Sequence, residues 1–442
     1  IQQKLFNLDL SPCYNTRIET GVTDRTLVKS VQSSDNSNFV IYNEAGSNLR
    51  TDLIEIRPDF DSYIEDIGTE LEVFPTGGYD AVALTAVDTE TAMAYIAPGA
   101  PQTIELNMVN ALPKEGLEIV SSYGTHQIFD GALGDPVEIT MQRLNWVGSN
   151  TTVNALVAAY VLGSPGSQSI RMTVVTVNSN GTFTQVGQAT IDGGSSSTFS
   201  NLTLLPIVDE KVLVSYLDEA NGQVTLNNLS FHELDSLSPT ITVGQAIGTD
   251  AIQITTPVTS FEKPRLIKTG RLNQATLFYA DYDSGTGGHF NIESLTVDAD
   301  LMDWIGDGDA SNLADQSGAT TIDTFTVGDA GTSVDTGMDA IAIEEDEKIV
   351  IVWTSATSFK AAFLTIGSPT TALAYAAGWS ITGQTLVTPA ACVEETIRIL
   401  RTIADDAFSI YYQDGTSVRT QTWSFEDPSF GNLDKIQATH YE

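Results

Sequence analysis

The densest chemistry in this 442-residue chain is an acidic, glycine-bearing stretch, Asp303, Trp304, Ile305, Gly306, Asp307, Gly308 and Asp309, followed by Asp315. Hard calcium ions take several carboxylate oxygens from a tight turn. Asp303, Asp307, Asp309 and Asp315 are therefore the candidate metal ligands, and calcium is the one cofactor suggested. No Glu closes the spacing as in an EF-hand, and the stretch occurs once. A solvated acidic insertion accounts for the same residues and is the favoured reading.

Other reactive residue types lack the company that chemistry needs. The loop Asp281 to His289 has closely spaced glycines but no Lys-Ser or Lys-Thr pair, so it reads as a hairpin loop rather than a phosphate cradle. His126, His232, His289 and His440 form neither HxxxH nor HExxH, and Cys13 and Cys392 are too few for a thiolate zinc site. Those two cysteines are either lone buried thiols, the favoured reading, or a bridge between the chain ends in an oxidising compartment. No Gly-x-Ser-x-Gly elbow occurs. The sialidase aspartate box, Ser-x-Asp-x-Gly-x-x-Trp, does not recur, and Asp414-Gly415 stands at the wrong distance from Trp423. The expectation is a chain with no catalytic residue, not an enzyme. Among the five tryptophans, Trp353 and Trp423 fall inside apolar runs and read as core. Trp304 and Trp379 adjoin glycine-rich turns and are the candidate ligand-binding residues, able to stack on a sugar ring.

Charge narrows the partners. With 57 acidic and 20 basic side chains the formal net charge is -37, which argues against a phosphate backbone and so against nucleic acid. The acids are dispersed; the longest run, Glu344 to Glu347, lies between two apolar segments and reads as a solvated hairpin tip. A diffuse acidic surface suits an extracellular or salty setting. The best apolar run, Ala155 to Leu162, has the length of a buried strand and not of a membrane span. Sequons at Asn150, Asn180, Asn201 and Asn228 are compatible with secretion without requiring it.

The elements that must position these residues are strands. Runs of five to nine β-branched, aromatic and small apolar residues alternate with Gly, Asn, Asp or Ser turns, and helical periodicity is nearly absent, its only candidates being 59–68 and 298–303. An apolar marker strand followed by a turn and an alternating strand recurs seven times, starting near 38, 91, 154, 211, 275, 348 and 408. The spacing of about 60 residues holds four short strands per unit, longer than the roughly 40 to 50 of common propeller repeats and implying longer loops. The expected fold is all-β: a single seven-bladed β-propeller domain over 1–442, made of four-stranded antiparallel blades. An N-terminal strand, Lys4 to Leu10, is expected to complete the last blade and close the ring. The blade assignment is least regular between 59 and 80. The alternative is two β-sandwich domains joined at the Gly193 to Ser197 cluster.

In texture the whole chain is rich in Gly, Ser, Thr, Asn and Asp, poor in Lys and Cys, and built of turn loops. It resembles the structural virion proteins of tailed phages, some of which carry propeller domains. That resemblance implies a non-enzymatic structural or adhesion role in a phage tail, capsid accessory or other extracellular assembly. Its loops would bind neighbouring protein subunits or a cell-surface glycan. The alternative function is a secreted glycan-binding or glycan-hydrolysing propeller.

Overall fold

The computed structural model describes thirty-four strands and the turns next to some of them. Outside the described residues lie 1–14, 18–24, 57–63, 75–80, 120–124, 233–239, 244–251, 255–264, 269–273, 284–288, 305–324, 328–337, 366–373, 376–383, 386–396, 402–406, 426–435 and 440–442, with shorter stretches of one to four residues elsewhere. The chain is all-β and its strand pairs are antiparallel; no helix occurs among the described residues.

The strands form seven sheets, each a meander in chain order. One short strand, β1 (Asn15–Arg17), precedes them. The first sheet runs β2 (Arg25–Ser34), β3 (Ser37–Glu44), β4 (Asn48–Ile56), β5 (Ile64–Asp66), with β6 (Leu71–Phe74) also on β4. The second runs β7 (Val82–Val87), β8 (Glu90–Ala97), β9 (Thr103–Leu112), β10 (Gly116–Ile119), with β11 (His126–Phe129) on β9. The third is β12 (Pro136–Val147), β13 (Thr152–Leu162), β14 (Ser169–Val177) and β15 (Phe183–Gly193). The fourth is β16 (Phe199–Val208), β17 (Lys211–Asp218), β18 (Gln223–His232) and β19 (Thr240–Val243), with β20 (Ile252–Ile254) on β18. The fifth is β21 (Arg265–Lys268), β22 (Gln274–Asp283), β23 (His289–Asp298) and β24 (Asp303–Trp304), with β25 (Phe325–Val327) on β23. The sixth is β26 (Met338–Ile343), β27 (Lys348–Ser355), β28 (Ser358–Thr365) and β29 (Ala374–Tyr375), with β30 (Gln384–Thr385) on β28. The seventh is β31 (Arg398–Arg401), β32 (Ala407–Asp414), β33 (Ser417–Phe425) and β34 (Ile436–Thr439). β33 of this last sheet also pairs with β1, joining Asn15 to Gln421 and Arg17 to Arg419.

The seven marker positions are occupied by β3, β8, β13, β17, β22, β27 and β32, in each case the second strand of its sheet. Their all-apolar character has a direct cause in the best-described region. Successive side chains of a strand point to opposite faces. On β13, Leu156, Ala158, Tyr160 and Leu162 enter a core shared with the second sheet, which supplies Ala94, Ile96, Leu106 and Met108. Ala155, Val157, Ala159 and Val161 enter a core shared with the fourth sheet, which supplies Leu204, Val214, Tyr216 and Phe231. A strand dry on both faces has to be apolar throughout. Burying each Val or Leu of this kind contributes about 1.5–3 kcal/mol.

The second of these cores runs across Gly193, with Ile191 on one side and Phe199 on the other. The Gly193 to Ser197 cluster is a turn, fastened where the Gln168 N–H donates to the Ser197 carbonyl at 3.0 Å, and the two-sandwich alternative finds no break there. The strand expected at Lys4 to Leu10 lies outside the described residues, and the N-terminal segment that joins the last sheet is β1. Within the weakly periodic 59–68 region the described residues, Ile64–Asp66, form the strand β5.

The first strands of the sheets also touch one another in sequence. β2 packs on β7, β7 on β12, β12 on β16, β16 on β21, β21 on β26, β26 on β31, and β31 on β2.

Candidate functional site

Where those first strands meet they enclose a cavity of about 270 Å³. Its lining comes from β7, β12, β16, β21, β26 and β31, one strand from each of six sheets. Strand alternation selects what it contains. On β12, Glu138, Thr140 and Gln142 are half-buried along the cavity, while Ile139 is buried in the core behind. β16 adds Asn201 and Thr203, β21 adds Arg265, β26 adds Asp339 and β31 adds Arg398. Leu84, Met141, Leu202, Leu204 and Ile267 are among the apolar residues that complete the lining. Two carboxylates, two guanidinium groups, two amides and two threonine hydroxyls thus converge in one concave space.

Asp339 is the best-anchored of these groups. Its Oδ1 accepts from Arg265 Nε at 2.9 Å and from the Ala340 N–H at 3.0 Å, and its Oδ2 accepts from the Ile399 N–H at 2.8 Å. One carboxylate on the sixth sheet therefore joins the fifth and the seventh. The pair is nearly dry, with side chains 14% and 13% exposed for Arg265 and Asp339. Arg398 donates through Nη1 to the Ile397 carbonyl at 2.5 Å.

A second anchor joins the third and fourth sheets. Along β16 the pairing with β17 slips between Ser200 and Thr203: Ser200 faces Leu217 and Thr203 faces Ser215, so Asn201 and Leu202 together oppose Tyr216. This is a β-bulge, and it takes the Leu202 N–H out of the ladder. Glu138 Oε1 accepts that N–H at 3.0 Å. β12 has its own slip beside Glu138, where Val137 is inserted between the Pro136–Leu162 and Glu138–Val161 pairs. Above these anchors stand interlocked turns. Gln102 N–H donates to Asp135 Oδ1 at 3.3 Å, Gly166 N–H to Thr198 Oγ1 at 2.9 Å, and Phe199 N–H to Gln168 Oε1 at 2.6 Å. Leu133 and Val137 are exposed there, at 55% and 45%.

Of the metal and ligand-binding candidates singled out in the sequence, Asp303 and Trp304 are described and are not among the residues that line this cavity. Asp303 and Trp304 form β24, paired to Asp298 and Val297 at the edge of the fifth sheet. Asp307, Asp309, Asp315 and Trp379 lie outside the described residues, as do Cys13, Cys392 and the Glu344 to Glu347 tip. Among the described residues no three His, Cys, Asp or Glu side chains come together in a metal-holding group. Trp353 is buried, 1% exposed, as a core residue should be. Of the four sequon asparagines, Asn201 lines the cavity. The sequence singles out none of Glu138, Arg265, Asp339 and Arg398, and marks Asn201 only as a sequon. The available signal was positional: each stands near the start of the strand that precedes a marker, in successive repeats.

No family model matches the chain, and no curated protein matches it. Solved structures do. An α-L-arabinanase of Penicillium chrysogenum, solved with arabinobiose, is similar at 12% identity and a TM-score of 0.46, over 78% of this chain and 93% of that one. The α-L-arabinofuranosidase Arb93A of Fusarium graminearum, with an iminosugar inhibitor, is similar at 10% identity and a TM-score of 0.45, over 81% and 94%. The Dos1 propeller is similar at 9% identity and a TM-score of 0.44, over 93% and 95%. Likeness of this degree speaks to fold alone and transfers no residue or activity. It does correct one expectation. The expectation that the chain is no enzyme rests on the absence of a legible catalytic motif. Structures of similar fold include an arabinanase and an arabinofuranosidase, so a missing motif does not make the chain a non-enzyme.

Proposed function

We propose that the seven sheets are the blades of a closed β-propeller, and that the central cavity binds a neutral oligosaccharide as a secreted glycan-binding or glycan-hydrolysing protein. The cyclic contact order of the first strands supports the ring, and the pairing of β1 with β33 supports closure by hydrogen bonds between the two ends of the chain. The observation that carries the function is the cavity itself. It presents amide groups beside charged groups, of which Asp339, Arg265 and Glu138 are fixed by hydrogen bonds from neighbouring strands. A polyol offers hydroxyls that both donate and accept, and charge-assisted hydrogen bonds to such fixed partners are stronger than neutral ones. The named charges cancel, Glu138 and Asp339 against Arg265 and Arg398. Around them the chain carries a formal net charge of -37, which repels acidic polymers. Both facts favour an uncharged sugar. Glycosidic hydrolysis needs two carboxyl groups flanking the bond, and Glu138 and Asp339 are the pair in the cavity. The virion assembly role expected from the sequence texture makes no use of this cavity.

The test is calorimetric titration of the purified chain with neutral pentose and hexose oligosaccharides and with oligogalacturonates, at low and high salt, followed by product analysis. Saturable binding of a neutral sugar, insensitive to salt and lost in R398A, supports the reading. Failure of every neutral sugar to bind or be cleaved refutes it.

A further inference from the structure

We infer that Asn201 is a specificity-determining residue of the cavity, its carboxamide held against the sugar by a strained bulge. The inference rests on the carbohydrate reading above. Asn201 has φ of 58°, and it is the one side-chain-bearing residue with positive φ among the described residues; the other four are glycines. It is also the first residue of the β16 bulge, the place where a left-handed conformation is ordinarily supplied by glycine. Glycine would satisfy the backbone at no steric cost. A side chain is kept there instead, and Asn201 lines the cavity.

The surroundings reinforce this. The N–H that the bulge frees, at Leu202, is taken by Glu138, another cavity residue, so bulge and carboxylate hold each other in place. On either side the hydroxyls of Ser200 and Ser215 are buried with no hydrogen-bond partner. Tyr216, opposite the bulge, is tied to Asp192 at 2.6 Å and packs edge-on against Phe199. Left-handed backbone at a side-chain-bearing residue and unsatisfied buried hydroxyls are local violations of folding rules. Such violations persist where the surrounding structure over-determines them, and they concentrate at ligand sites. An amide suits the task, since it offers both donors and an acceptor to the vicinal hydroxyls of a sugar.

The experiment compares N201G and N201D with the wild-type chain by thermal unfolding and by titration with the neutral oligosaccharide that the wild type binds best. N201G relieves the left-handed strain, so its melting temperature is expected to equal or exceed that of the wild type. Its affinity is expected to fall about tenfold through the lost hydrogen bonds. N201D tolerates the same backbone and keeps an acceptor while losing the amide donors, so it falls between. A stably folded N201G that binds within twofold of the wild type overturns this inference and leaves the carbohydrate reading standing. A wild-type chain that binds no neutral sugar overturns both.

Discussion

Replacing Asp339 with Ala should loosen three sheets at once. The carboxylate on β26 is the acceptor for Arg265 Nε of β21 and for the Ile399 N–H of β31. Its removal leaves a guanidinium and a backbone donor in a space where the paired side chains are only 14% and 13% exposed. Deleting one partner of a buried ion pair costs about 3–5 kcal/mol, and slight access to water here places the loss near the lower end, about 3 kcal/mol. With an unfolding entropy of about 2.1 cal/mol/K per residue, a cooperative transition of the whole chain would lower Tm by about 3 °C. Calorimetry or tryptophan fluorescence reads that shift. D339N keeps the shape and one acceptor oxygen, so its loss should be smaller. A double-mutant cycle with R265A isolates the pair, and a coupling of about 1 kcal/mol or more is expected for residues in direct contact. A D339A chain that melts within about 1 °C of the wild type, with no coupling to R265A, would refute the three-sheet clamp.

Three other outcomes follow from the same geometry. Gly131 has φ of +79°, and a Cβ there would lie 2.5 and 2.6 Å from the Pro101 ring and 2.7 Å from the Gln102 carbonyl; G131A should lose about 2–4 kcal/mol in denaturant titration. Burial lowers the pKa of His126 from its ordinary 6.5. The unfolded chain therefore takes up that proton first, and stability, whole above pH 6.5, should fall as pH drops through the folded value. H126F should flatten that part of the acid slope. Burial, then the hydrogen bond and charge of Asp192, raise the Tyr216 hydroxyl above its ordinary 10.0. Its contribution is present below pH 10 and should be lost as pH rises beyond it; Y216F should remove that alkaline slope while giving up the bond to Asp192.

The strand content and its rhythm were legible because they are local. Whether a segment is a strand depends on its own alternation and turns, and the Lys211 marker begins at the first residue of β17. Apolar residues on both faces of Asn154 to Leu162 announced a strand with a neighbour on each side, and its two cores are what the fold contains. The metal and tryptophan candidates came from a different logic, proximity along the chain. The acidic stretch beginning at Asp303 suggests a calcium loop by its composition; its first two residues pair at a sheet edge, and the rest lies outside the described residues.

The cavity was not legible, and the reason is physical. Arg265, Asp339 and Arg398 are 74 and 59 positions apart, and nothing local distinguishes any of them from other charged residues in a chain with 57 acids. Only the packing of successive first strands brings them together. The Asn201 bulge is similar: the sequence shows a sequon, and only pairing with β17 reveals two residues facing one and a backbone turned left-handed. Sequence alone determined that this chain makes repeated antiparallel sheets with two-sided apolar strands, since that demand is met residue by residue. Tertiary structure decided which polar residues share a space, because hydrogen bonds between sheets depend on where the strands stop turning toward one another, a property of the assembled whole.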